Sequence, residues 1–228
     1  MKRLKKFYMI SLSAMIALCC VSCSDEKSGT SSTGGNALVS DDMGKDINIA
    51  ENDLPFGATM TDLISDRGDV PVSISYEKRF MTEDEAKKIS DYISAMNNCD
   101  AELMKNTCYP PYLDYIVNQY EDTDIQGYLD SIHSDIVSSY TDGEFDFNYI
   151  IVNSLMDEDD DDDSTSFSIL DRAILEQSPN AQITSRKMVG IEVLYTLKDD
   201  GGSYSLSARS GDDMILYIYE IDGQIYVL

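Results

Sequence analysis

The sequence predicts an α+β domain in which several N-terminal helices pack on an antiparallel sheet. Three observations carry that expectation. Apolar residues recur at helical spacing between residues 83 and 143, the pattern switches to strict alternation from Phe145 onward, and Asp222-Gly223 joins two alternating runs as a two-residue hairpin. Helices first and hairpin strands after them is the order of an α+β fold with its helices on one face.

Leu54-Pro55-Phe56-Gly57 marks a turn, Thr59–Ile64 suggests a short turn of helix, and Pro71–Tyr76 reads as an edge strand with Val72, Ile74 and Tyr76 on one face. A helix is expected from Glu83 to about Asn97, with Thr82 and Glu85 as a capping box and Ala86, Ile89, Ile93 and Met96 as its apolar stripe. Asp100 caps a second, short helix, with Cys99 and Met104 placed as a hydrophobic staple. Pro110-Pro111 starts a third, carrying Leu113, Ile116, Val117 and Tyr120. Thr123 and Gln126 cap a fourth with the stripe Ile125, Tyr128, Leu129, Ile132, Ile136 and Tyr140, and Gly143 stops it.

Phe145, Phe147, Tyr149 and Ile151 then alternate on a strand reaching about Ser154, with Ile150 and Val152 on a partly covered second face. The acidic run 157–163 interrupts, and Phe167–Gln177 reads as a short helix. Val189, Ile191, Val193, Tyr195 and Leu197 alternate through a long strand that ends in the turn Lys198–Gly202. Tyr204–Ala208 reads as a strand, and Met214–Ile221 and Gln224–Leu228 form the closing hairpin.

Residues 1–24 have a different character. Lys2, Arg3, Lys5 and Lys6 form a basic start, Phe7 to Val21 is an apolar run of 15 residues, and Cys20-Val21-Ser22-Cys23 closes it. This is the pattern of a secretory signal, and the run falls short of the roughly 20 residues that a bilayer span needs. The closing tetrapeptide resembles the lipobox of bacterial lipoprotein precursors, an aliphatic residue and two small residues before a Cys. Val21 and Ser22 fit the small positions and Cys23 the modified one, while Cys20 stands where Leu is usual. The resemblance implies cleavage before Cys23, acylation of its thiol (palmitate being one such chain) and a lipid-anchored place on the extracytoplasmic face of the bacterial cell membrane. An ordinary signal cleaved near Ser22 is the alternative. Residues 1–22 are then the signal, 23–52 the acylated Cys and a flexible Ser/Gly/Thr-rich tether, and 53–228 a single acidic domain.

The whole chain has 17 basic and 42 acidic residues. Removal of the signal takes four basic residues and no acidic ones, which leaves 13 against 42 and a formal charge of −29. Such a surface repels phosphate backbones and anionic lipid. Nucleic acid is therefore not an expected partner, and attachment to a membrane falls to the acyl chain. Beyond Cys23 only Cys99 and Cys108 remain, flanking the helix that Asp100 caps. A helix would hold their Cα atoms on the order of 13 Å apart, whereas a disulfide needs less than about 7 Å; two free thiols are expected.

The element order from Thr82 to Leu228, the turn into Asp100-Ala-Glu-Leu and the closing Tyr-Glu-Ile-Asp-Gly-Gln-Ile-Tyr resemble lipoproteins with a nuclear transport factor 2-like (cystatin-like) domain. Ile225 stands where an aromatic residue is common, and the helix at 167–177 falls between strands. The resemblance implies a cone whose sheet curls around a pocket, and a role as enzyme, ligand binder or dimerisation module. Enzymes of that shape often place an acid and tyrosines in the pocket for proton transfer. The counterparts here are Asp146, Glu192, Tyr115 and Tyr128.

Asp159, Asp161 and Asp163 in the acidic run are candidate cation ligands. A Ca²⁺ loop of the EF-hand type needs Gly at its sixth position and Glu at its twelfth. From Asp159 those positions hold Ser164 and Leu170, and from Asp160 they hold Thr165 and Asp171. A solvated loop with weak cation uptake is the better expectation. His133 is the sole histidine, which excludes a multi-His metal site, and it lies at the margin of an apolar stripe as a partly exposed structural residue. No Gly-rich phosphate loop, CxxC pair, HExxH or GxSxG occurs. The expected role is a membrane-anchored binding or interaction module with an unidentified ligand or protein partner and no cofactor. An enzyme with a cone-fold pocket and a homodimerising module are the alternatives.

Overall fold

A computed structural model describes residues 61–64, 70–119, 124–157, 164–199 and 201–228, all of which belong to one compact unit, Thr61–Leu228. Its strands are β1 (Thr61–Ile64), β2 (Ser73–Glu77), β3 (Phe145–Asp157), β4 (Ile183–Leu197), β5 (Ser203–Ser205), β6 (Met214–Ile221) and β7 (Gln224–Val227). Its α-helices are α1 (Glu83–Asn98), α2 (Ala101–Thr107), α3 (Pro110–Gln119), α4 (Ile125–Ile136), α5 (Ser164–Gln177) and α6 (Leu206–Ser210). A π-helical turn, Val137–Thr141, extends α4. The α+β class read from the sequence is the class observed.

The sheet is curved and open, in the order β1-β2-β3-β4-β6-β7, with β5 pairing β4 beyond the end of β6. Every neighbouring pair is antiparallel except β2 and β3. That parallel pair is the crossover that four helices make necessary, since strands in parallel cannot be joined by a hairpin.

Helix α1 forms where the capping box and stripe require it. The Thr82 hydroxyl accepts from Glu85 N–H at 3.3 Å, Thr82 N–H donates to Glu85 Oε2 at 2.7 Å, and Ala86, Ile89, Ile93 and Met96 are fully buried. Each of the three larger side chains contributes about 2 kcal/mol by burial. Ser90 from the same helix serves both backbone groups of Val72: it accepts from the N–H at 3.0 Å and donates to the carbonyl at 2.6 Å. Cys99 ends α1 in the left-handed conformation (φ 49°). Asp100 caps α2 through Glu102 and Leu103 N–H, as its type and place predict.

Several local expectations are corrected. Residues 61–64 form a strand rather than a turn of helix, because pairing with β2 overrides a weak local preference. Strand β2 is consequently interior and not an edge. The cap of α4 is Asp124, whose carboxylate accepts from Gly127 N–H at 2.9 Å; Thr123 lies outside the described residues. The helix is stopped by Asp142, left-handed at φ 56°, one residue before Gly143. Strand β5 ends at Ser205, which caps α6 through Ala208 N–H, so Leu206–Ser210 is helical where a strand was expected.

Strand β3 also departs from simple alternation. Its register against β4 shifts between Phe147 and Tyr149 and again between Val152 and Ser154. The extra residues are Asn148 and Asn153, both exposed, whose amides donate sideways to Thr196 Oγ1 and to Asp213 Oδ2. After the first bulge the core face passes from Phe145 and Phe147 to Ile150, which is fully buried, while Tyr149 and Ile151 turn to the other face. One residue in the wrong place flips a strand.

The sheet is covered on both faces. Val189, Leu216, Ile218 and Val227 lie on the face that α1 covers. On the other face Tyr217, Tyr219 and Ile221 pack with Phe167, Leu170 and Ile174 of α5 and with Tyr109 and Tyr112. Adjacent residues of β4 fasten the two layers. Lys187 reaches Glu85 of α1 at 2.9 Å and the Phe80 carbonyl at 3.0 Å. Arg186, on the opposite face, pairs with Asp171 of α5. These charges explain why β4 begins at Ile183 rather than Val189: polar side chains stand at covered positions because each has a helical carboxylate. No helix among the described residues is long and apolar enough to cross a membrane.

Candidate ligand-binding site

The residues singled out by sequence do not converge. Cys23, Asp159, Asp161 and Asp163 lie outside the described residues, and among those described no group of three or more His, Cys, Asp or Glu is placed to hold a metal ion. Asp146 is exposed on β3 and 3.8 Å from Lys198. Glu192 stands half-buried on β4 opposite Ile151, whereas Asp146 stands opposite Thr196, four residues further along. At the rise of a strand that separation is about 13 Å. Tyr115 packs at the edge of the α3–α5–β6 cluster, and Tyr128 is buried in α4. The four are not parts of one pocket.

Tyr92, Tyr112 and Cys108 meet Tyr128 in the helical core. Burial, before any neighbouring group, holds the Tyr92 and Tyr112 hydroxyls well above their ordinary range and pushes the Cys108 thiol up to about 12. All three are neutral core groups. Cys99 and Cys108 are both free thiols, as the intervening helix requires.

An acid beside a tyrosine does occur, at a place the sequence did not mark. Tyr219 donates to Asp171 Oδ1 at 3.1 Å, and Arg186 holds the other carboxylate oxygen. Burial first, then the Asp171 charge, raises Tyr219 far above the ordinary tyrosine range. That hydroxyl keeps its proton, and its bond to Asp171 seats α5 on the sheet. Its only signal in the sequence was an Asp on the inner stripe of a helix beside Leu170 and Ile174.

A second cluster differs in kind, because its polar atoms are not satisfied. It lies where β3 and β4 run under the end of α4. Phe145 and Phe147 sit on the core face with ring centroids 4.7 Å apart, opposite Leu197 and Tyr195. Tyr195 is fully buried, edge-on to Phe145 at 6.3 Å and stacked on Tyr204 of β5 at 5.6 Å. His133, in the last turn of α4, stacks on Phe145 at 4.8 Å.

Bulged Asn148 keeps Ile150 on the same face, and Phe147 N–H is held by Asn97 Oδ1 of α1 at 2.9 Å. Gly202 makes room for Tyr204: a Cβ there would lie 2.7–2.9 Å from the tyrosine ring and hydroxyl. The π-helical turn after His133 is tied down by Thr141, whose hydroxyl donates to the Gly143 carbonyl at 2.7 Å.

Within this cluster Tyr195 Oη and His133 Nδ1 are buried and have no hydrogen-bond partner. More than nine in ten buried polar groups in proteins do have one, and an exception calls for an explanation: an ordered water or ion, stored strain, or a functional role. Leaving such a group unmet costs about 1–3 kcal/mol. His133 Nε2 lies 3.6 Å from Glu144, which also approaches Lys198 at 3.8 Å. Tyr195 Oη can donate or accept. Both orphan polar atoms sit on rings that pack on Phe145.

Comparison with known proteins finds no matching family model, no similar curated protein and no similar solved structure.

Proposed function

We propose that this protein is an extracytoplasmic lipoprotein, anchored through Cys23, whose α+β domain is a binding module with its ligand at the His133–Phe145–Tyr195 cluster. The observation that carries the binding reading is the pair of buried, unpartnered polar atoms on Tyr195 and His133. Ligand sites are mostly apolar and aromatic with a few placed polar groups, and this cluster has that composition. A nuclear transport factor 2-like cone would put such a site between the curled sheet and its helices. The basic start, apolar run and Cys20-Val21-Ser22-Cys23 of the sequence support the anchor.

The catalytic alternative draws less support, since Asp146 is exposed and paired with Lys198 and the acid–tyrosine pair at Asp171 is engaged by Arg186. Self-association through the sheet would need an exposed apolar patch on residues such as 189–197 and 214–221. None of those residues is exposed, and Tyr217 and Tyr219 are covered by α5.

Two experiments test the reading. Labelling of cells with a clickable palmitate analogue should mark the wild-type chain and not Cys23→Ala, which should leave the membrane fraction. Native mass spectrometry of the protein purified from its source should show a small-molecule adduct that Tyr195→Phe weakens. A chain released without acylation refutes the anchor, and an adduct untouched by Tyr195→Phe refutes the site.

A further inference from the structure

We draw no further inference here: the strongest candidate, the half-buried apolar patch of Tyr149, Ile151 and Leu194 around Glu192 on the face of β3 and β4 turned away from α1, carries nothing because nothing in the structure shows what covers it.

Discussion

Replacement of Lys187 by Met tests whether the two helical layers are fastened by the neighbouring charges of β4. The Lys187 ammonium is 2.9 Å from Glu85 Oε1 and 3.1 Å from Oε2, and the two side chains are 19% and 9% exposed. Breaking a fully buried pair by removing one partner costs about 3–5 kcal/mol. Here Glu85 retains Thr82 N–H and the Thr82 hydroxyl, at 2.7 and 3.0 Å, and the lysine keeps some contact with water. The expected loss for Lys187→Met is therefore about 2–3 kcal/mol. Glu85→Gln should cost less, about 1–2 kcal/mol, because glutamine also completes a capping box and the freed ammonium keeps the Phe80 carbonyl.

Urea unfolding of both single variants and the double variant gives the coupling directly, and a value of about 1–2 kcal/mol is expected. Amide exchange should quicken in α1 for Lys187→Met and in α5 for Arg186→Met, each leaving the other helix unchanged. A coupling near zero with both single losses under about 0.5 kcal/mol would refute the reasoning. The pair would then be a screened surface contact, with α1 held by Ile89, Ile93 and Met96 alone.

Tyr195→Phe removes an orphan hydroxyl and should leave the ligand-free protein as stable or about 1 kcal/mol more stable in urea; a loss of that size would show the hydroxyl bonded to water in the free state. Burial holds the Asp91 carboxyl above its ordinary 3.8, with Lys88 pulling the other way. The folded state thus binds that proton more tightly than the unfolded one, so this group's contribution falls as pH rises from the ordinary value through the raised one. Asp91→Asn should raise stability at neutral pH and change nothing below both values, as thermal unfolding across pH would read. Cys108, buried and pushed up to about 12, should resist iodoacetamide in the folded protein at neutral pH. Half-exposed Cys99, raised by burial and then by Asp130, should label slowly, and both should label fully in denaturant, as peptide mass spectrometry would show.

The helices other than α6 were legible because their signals are local. A capping box at Thr82, an Asp cap at Asp100 and the stripe Ala86–Met96 need no tertiary knowledge. The same holds for the Asp222-Gly223 hairpin, where both residues take positive φ, 53° and 76°. What the sequence hid is non-local. The bulges at Asn148 and Asn153 exist only against β4, so alternation placed Tyr149 and Ile151 on the wrong face. The start of β4 was obscured by Thr184-Ser-Arg-Lys187, whose charges are explained only by carboxylates about 15 and 102 residues away in sequence. The candidate site was less legible still. His133 was marked as a lone structural histidine and Tyr195 as one more alternating strand residue. An unmet hydrogen bond is a property of the assembled interior and leaves no pattern along a chain.

Strand β4 joins these observations into one contrast. At Arg186 and Lys187 it carries charge into covered positions, and every such charge meets a carboxylate. At Tyr195, about 26 Å further along at strand rise, it carries a hydroxyl into a fully buried position with no partner. The same strand therefore shows that this chain does satisfy the polar groups it buries when they belong to the scaffold, down to the single Ser90 that serves both backbone groups of Val72. Imperfect packing alone would scatter unmet atoms over the core. Here, among the described residues, both buried side-chain atoms without a partner sit on rings packed against Phe145. Under the binding reading proposed above, a molecule that hydrogen-bonds at that spot would account for the clustering.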